Sequence, residues 1–204
     1  MQYLIVGTGR SGTGFVKHLL GVNGISCGHE TVFGLPHSKE AYLQKLKDIR
    51  LPAESSWMVV PFLDDILEAE PNIKLLHITR HPVKVIKSFL DLGILNHKNN
   101  PLYVQVIGPY VTGNTDIELL VSYYITWYKF LEQYDRLILD IDNFDYSKFS
   151  EFIGRTAIQD DSVVNRKSNQ KARKRDEADV LNDITMSCRY EELQKICEKY
   201  GFIC

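Results

Sequence analysis

The sequence predicts an α/β fold, a single-domain parallel β-sheet flanked by helices. Three observations predict it: short apolar runs alternate with amphipathic segments, the first run passes through a glycine-rich turn into a helix, and 204 residues with 44% hydrophobic content suffice for one cored domain. Residues 3–6 read as a strand, Gly7-Thr-Gly-Arg-Ser-Gly-Thr-Gly14 as a turn, and residues 15–20 as a helix. Residues 24–28 follow as a short second strand, and 38–49 carry apolar residues at helical spacing. The run Trp57-Met-Val-Val60 reads as a buried strand, and Pro61 opens a helix over 62–70. Residues 73–79 form a further strand that leads through Arg80-His-Pro82 into a helix over 83–92. The alternation implies a parallel sheet covered on both faces.

From Gly93 to Gly113 the pattern lapses into Asn, Pro and Gly, long enough to predict a functional loop or lid with acceptor contacts rather than a plain connection. Residues 116–134 form a long tyrosine-rich amphipathic helix, 136–141 a strand and 146–153 a short helix; 158–175 read as an exposed loop and 178–200 as one or two closing helices. The rings of Tyr123, Tyr124, Trp127, Tyr128 and Phe130 are assigned mainly to the core. There are no repeats or dividing linkers, so the domain is expected to run from 1 to 204, with 175–204 as its closing helical part.

A formal charge of −2 argues against coating nucleic acid or an anionic membrane, while a small anion remains open as ligand. Cys27, Cys188, Cys197 and Cys204 lie apart without metal spacing, so neither a disulfide framework nor a zinc site is expected, and no metal is called for. The amino-terminal apolar run is too short for a signal peptide or a membrane span, which makes a soluble cytoplasmic protein the expectation.

The glycine loop is the first functional signal. Glycines let the backbone turn sharply and approach a ligand, and the first N–H groups of the following helix favour an anion. Gly7, Gly9 and Gly12 satisfy GxGxxG, with Glu30 about twenty residues on, which fits a dinucleotide site for NAD(P) or flavin. A triphosphate P-loop fits less well, because Thr13 stands where lysine is needed and Lys17 is a turn too far. In the third reading Arg10-Ser-Gly-Thr13 gathers a fixed cation, hydroxyls and amides, a set that suits a phosphosulfate.

A second segment, Ile78-Thr-Arg-His-Pro-Val-Lys-Val-Ile-Lys-Ser-Phe89, places Arg80 at a strand end and Ser88 on the next helix. Together, Arg10-Ser-Gly-Thr13 and Arg80-x-Pro82 followed by Ser88 resemble the sulfotransferase family, which uses 3′-phosphoadenosine 5′-phosphosulfate (PAPS) and has a P-loop-like sulfotransferase architecture. Ser55-Ser-Trp-Met-Val-Val-Pro-Phe-Leu63, Leu137-Ile-Leu-Asp-Ile-Asp-Asn-Phe144 and Val164-Asn-Arg-Lys167 are similar to further segments of that family, so the resemblance spans residues 3 to 170. The chain departs from it at Arg10, where many members carry lysine, at Gly14, where a second Thr or Ser is common, and at His81, which replaces a frequent aspartate.

The resemblance implies that Thr8, Gly9, Arg10, Ser11, Gly12, Thr13 and Gly14 bind the 5′-phosphosulfate and that Arg80 and Ser88 bind the 3′-phosphate. Arg166 and Lys167 would lead into a loop over the nucleotide; the basic run 166–175 reads equally as a solvated loop. Arg10 would stabilise the leaving phosphate. Glu30 is assigned as general base because a carboxylate can accept the acceptor's hydroxyl proton, with His29 in reserve and a solvated loop carboxylate or a structural salt bridge as the alternative. The implied reaction moves a sulfuryl group from PAPS to a hydroxyl or amine of a small-molecule or carbohydrate acceptor, with no nucleic acid or membrane partner. A nucleotide-dependent oxidoreductase, a kinase-like enzyme and an inactive nucleotide-binding module are the competing readings.

Overall fold

The computed structural model describes residues 1–96, 103–160 and 175–203. In chain order the elements are β1 (Tyr3–Gly7), α1 (Thr13–Val22), β2 (Cys27–His29), α2 (Lys39–Asp48), β3 (Ala53–Ser55), α3 (Leu63–Ala69), β4 (Lys74–Thr79), α4 (Pro82–Asp91), α5 (Asp116–Glu132), β5 (Leu137–Asp140), α6 (Tyr146–Ile153), α7 (Glu177–Thr185) and α8 (Tyr190–Tyr200). They form two compact units.

The first unit holds residues 1–79 and the chain returning from Gln133. Its sheet has the order β2-β3-β1-β4-β5 with every pairing parallel, which is the predicted α/β class. All five residues of β1 are buried, as a parallel strand covered on both faces requires. Phe15, Val16, Leu19 and Leu20 on one face of α1, with Phe149, Phe152 and Ile153 of α6, pack on Ile5, Leu76, Ile78 and Leu139. Local chemistry sets the helix ends. Ser38 Oγ accepts from Ala41 N at the start of α2, Asp145 accepts from Ser147 N and Lys148 N at the start of α6, and Gly154 ends α6 in the left-handed conformation. The Asn23 side chain donates to Leu19 O and Ile158 O and accepts from Ile158 N, tying residue 158 to the end of α1.

Two strand positions differ from the sequence expectation. β2 starts three residues later and ends one later than expected, at 27–29. The third strand is Ala53–Ser55, while Trp57–Val60 forms a turn that enters a 3₁₀ turn at Val60–Phe62. Trp57, Met58, Val59 and Val60 are all buried, and an apolar run buried on every side carries the same pattern whether it is a strand or a packed turn.

The second unit holds α4, α5, α7 and α8. Tyr123, Tyr124, Trp127 and Tyr128 of α5 are fully buried. Tyr124 stacks on Tyr128 at 4.3 Å, Phe89 of α4 meets Tyr123 at 5.4 Å, and Tyr200 of α8 meets Tyr128 at 4.7 Å. Arg189 ties α8 to α5 by donating to Ser122 Oγ at 2.7 Å, and Lys199 pairs with Glu132 at 3.0 Å. The closing segment is two helices. In the stretch predicted as a functional loop, 3₁₀ turns at Ile94–Asn96 and Gly108–Tyr110 and a π turn at Tyr103–Ile107 are described; 97–102 lie outside the described residues. Cys27 and Cys188 are free thiols, while Cys197 is disulfide-bonded, although the cysteine spacing points to no disulfide framework. Among the described residues no helix is long and apolar enough to cross a membrane.

Candidate active site

The loop between β1 and α1 is tight for steric reasons. A Cβ at Gly7 would lie 2.4 Å from the backbone oxygen of Ile78, so only glycine lets β1 leave the sheet there. The chain then takes two left-handed residues, Arg10 (φ 69°) and Gly12 (φ 116°). Holding a non-glycine residue there costs on the order of 1 kcal/mol, offset here by hydrogen bonds from Ser11 N and Ser11 Oγ to Thr8 O at 3.2 and 2.7 Å. A Cβ at Gly12 would lie 2.8 Å from Ile141 Cγ1.

Gly12 is the N-cap of α1; it supplies no side-chain cap, and the first turn carries no acidic residue. The first N–H groups of a helix lack carbonyl partners within it, so this end presents donors and a positive dipole. Thr8 and Ser11 are fully buried, and Thr8 Oγ1 has no hydrogen-bond partner among the described residues. An unanswered buried hydroxyl in a loop that fronts an uncapped helix fits an oxyanion ligand.

His29 and Glu30 follow the end of β2. β2 does not adjoin β1, since β3 lies between them. Their proximity to the loop comes through α1: His29 Nε2 is 3.4 Å from Thr13 Oγ1 and 3.7 Å from where a Cβ on Gly14 would stand. Ser55 Oγ donates to Thr13 O at 2.9 Å, pinning the first turn of α1 to β3. Glu30 has φ 53°; its carboxylate accepts from Ser56 Oγ at 2.9 Å and Trp57 N at 3.4 Å, and Oε1 lies 3.8 Å from His29 Nε2. Burial pushes the Glu30 carboxyl up to about 8, opposed by those two hydrogen bonds and reinforced by the neighbouring Glu54. Burial, then the charge of Lys17, lowers His29 below the usual histidine value. At neutral pH the site therefore holds a largely protonated carboxyl beside a neutral imidazole.

Glu54 is a site residue that sequence reasoning missed. It is fully buried in β3, its Oε1 accepts from Thr31 N at 3.0 Å, and its Oε2 has no hydrogen-bond partner among the described residues. Burial raises its pKa, opposed by the Thr31 hydrogen bond. Gly28 pairs with Glu54 across the sheet, and a Cβ there would stand 2.0 Å from Glu54 Oε2. A single acid in a three-residue strand has no periodic signature, and its pairing with Gly28 depends on register.

Thr8, Gly9, Arg10, Ser11, Gly12, Thr13, Gly14, His29 and Glu30 thus share one end of the first unit. Arg80 and Ser88 belong to the second unit. Arg80 is the residue after β4, with its carbonyl accepting from Tyr124 Oη at 2.8 Å, and Ser88 lies on α4. Arg166 and Lys167, with Lys171, Arg173 and Lys174, lie outside the described residues; Arg175 pairs with Asp183 at 3.1 Å. Among the described residues no group of three or more His, Cys, Asp or Glu side chains is placed to hold a metal ion.

No protein-family model matches the chain, and no curated protein sequence matches it. Among solved structures it is similar to the crystal structure of mouse sulfotransferase SULT7A1 complexed with PAP, with 13% sequence identity and a TM-score of 0.46 over 89% of this chain and 62% of that one. The chain spans 62% of the length of that protein.

Proposed function

We propose that the chain, acting as one sulfotransferase-like domain over residues 1–204, transfers a sulfuryl group from PAPS to a hydroxyl or amine of a small-molecule or carbohydrate acceptor. The observation that carries this reading is the uncapped α1 N-terminus fronted by the buried, unanswered Thr8 hydroxyl, with Glu30 and His29 beside it. Arg10-Ser-Gly-Thr13 and the Arg80–Ser88 segment add the sequence resemblance to PAPS-dependent enzymes.

In this reading the first-turn amides of α1, the Thr8 hydroxyl and Arg10 hold the 5′-phosphosulfate, and Arg80 and Ser88 take the 3′-phosphate. PAPS supplies an electrophilic sulfur. The acceptor oxygen forms a bond to sulfur as the bond from sulfur to the bridging phosphate oxygen breaks. The departing electron pair stays on adenosine 3′,5′-bisphosphate, next to the loop's donors, and the acceptor proton passes to a base.

Glu30 is the first assignment for that base. With its carboxyl at about 8, roughly a tenth is ionised at pH 7, and the working form gains with rising pH. The neutral state of His29 favours a second reading in which the imidazole takes the proton directly.

The test is calorimetry with adenosine 3′,5′-bisphosphate and with NAD, followed by sulfuryl transfer from labelled PAPS to an acceptor panel. Bisphosphate binding and labelled product are expected, with Glu30→Gln abolishing product and keeping nucleotide binding. Tight NAD binding without bisphosphate binding would replace this reading with an oxidoreductase, and bisphosphate binding without transfer to any acceptor would leave a nucleotide-binding module.

A further inference from the structure

The first turn of α4 is held by the residues that follow α8. His81 is the N-cap of α4, and its Nδ1 accepts from Val83 N at 3.2 Å. Its Nε2 lies 2.7 Å from the backbone oxygen of Ile203. A carbonyl oxygen only accepts, so Nε2 carries the proton and Nδ1 keeps its lone pair for the helix. The bond to residue 203 therefore selects the tautomer that can cap α4. Phe202 meets the His81 ring nearly edge-on at 5.7 Å and fixes its plane. Phe202 is itself placed by the end of α8: Gly201 takes the left-handed C-cap conformation, and Phe202 N donates to Cys197 O at 2.8 Å. Just before the cap, Tyr124 Oη donates to the carbonyl of Arg80.

We propose that His81, latched by Phe202 and Ile203, is a positioning residue for recognition of the 3′-phosphate. This rests on the assignment of Arg80 and Ser88 to that phosphate. Arg80 precedes the cap and Ser88 lies two turns beyond it, so the conformation of the first turn of α4 sets the geometry of one relative to the other. A histidine whose two ring nitrogens have separate duties does what the aspartate frequent at this position in the family does only in part. Asp or Asn can cap the helix, but neither reaches a second carbonyl from the cap position at the same time. The segment after α8 is thereby made part of nucleotide selection without touching nucleotide.

Separating the cap from the latch is the experiment. Adenosine 3′,5′-bisphosphate and adenosine 5′-monophosphate are titrated by calorimetry into the wild type, His81→Asn, His81→Ala and Phe202→Ala, and Val83 amide exchange is followed by NMR. His81→Asn keeps a good capping side chain and loses the Ile203 bond, and Phe202→Ala leaves His81 in place. The ratio of bisphosphate to monophosphate affinity is expected to fall about threefold in both, and about tenfold in His81→Ala, which loses cap and latch together. A purely structural role would speed Val83 exchange and weaken both nucleotides equally; an unchanged ratio in His81→Asn and Phe202→Ala, both shown folded by their spectra, overturns the proposal. Failure of the parent assignment looks different: the wild type itself would then show no preference for the bisphosphate, and the proposal would fall with it.

Discussion

Glu30 sits in the left-handed region because the chain must turn as it leaves β2, and that turn aims the carboxylate at Ser56 and Trp57. Burial then keeps the group protonated to about 8, against 4.5 in the open chain. The unfolded chain ionises first as pH rises, so the contribution of Glu30 to stability is fully present below about 4.5, declines between 4.5 and 8, and is flat beyond. Glu30→Gln removes that decline. The variant is expected to match wild type near pH 4.5 and exceed it above pH 8 by on the order of 2–4 kcal/mol, read from urea melts across the range. The wild type gaining stability relative to the variant as pH rises would show that Glu30 is not buried in this way. Activity runs oppositely. If Glu30 is the base, kcat/KM of sulfuryl transfer rises through a limb near 8; if His29 is the base, the limb falls below the usual histidine value. A profile flat from pH 5 to 9 would remove both from proton transfer.

Elements differ in how openly the sequence declares them. The limits of α6 are legible because Asp145 and Gly154 mark its ends chemically, and α5 because its rings recur on one face. β3 was hidden, since its middle residue is a buried acid and the apolar run beyond it is a packed turn. The glycine loop was legible as a tight turn into α1, yet its glycines are not equivalent. Gly12 combines φ 116° with a Cβ position 2.8 Å from Ile141 Cγ1, whereas a Cβ on Gly14 would make ordinary contact with His29 at 3.7 Å. Gly12→Ala is therefore expected to lose about 1–3 kcal/mol and most of its bisphosphate affinity. Gly14→Ser is expected to keep both, with up to about 0.5 kcal/mol gained in α1 and a hydroxyl returned to the loop. Thermal melts and bisphosphate titration of the pair check this. Equal losses in the two variants would count against the proposal that this loop conformation binds an anion.

At the scale of the whole molecule, strand–helix alternation disclosed a parallel sheet but not its order, which is set by where each crossover returns rather than by any local pattern. Order bears on ligand choice. In the 3-2-1-4-5 arrangement of dinucleotide folds the second strand lies against the first, which brings its terminal acid to the ribose of a nucleotide on the glycine loop. Here β3 occupies that place and β2 is at the edge, so Glu30 is one strand further out, and its carboxylate is engaged by Ser56 and Trp57. The literal GxGxxG spacing thus lacks the topology that gives it meaning for NAD. A ligand that binds only the folded chain stabilises it by about 2.7 kcal/mol at a concentration of 100 Kd. For a chain of this length that corresponds to a rise in Tm of about 5–10 °C. Adenosine 3′,5′-bisphosphate at saturation is expected to produce a shift of that size, adenosine 5′-monophosphate a smaller one, and NAD at the same concentration none. Differential scanning calorimetry on the intact chain reads all three; a shift with NAD equal to that with the bisphosphate would mean that strand order does not decide the ligand and would return the loop to its dinucleotide reading.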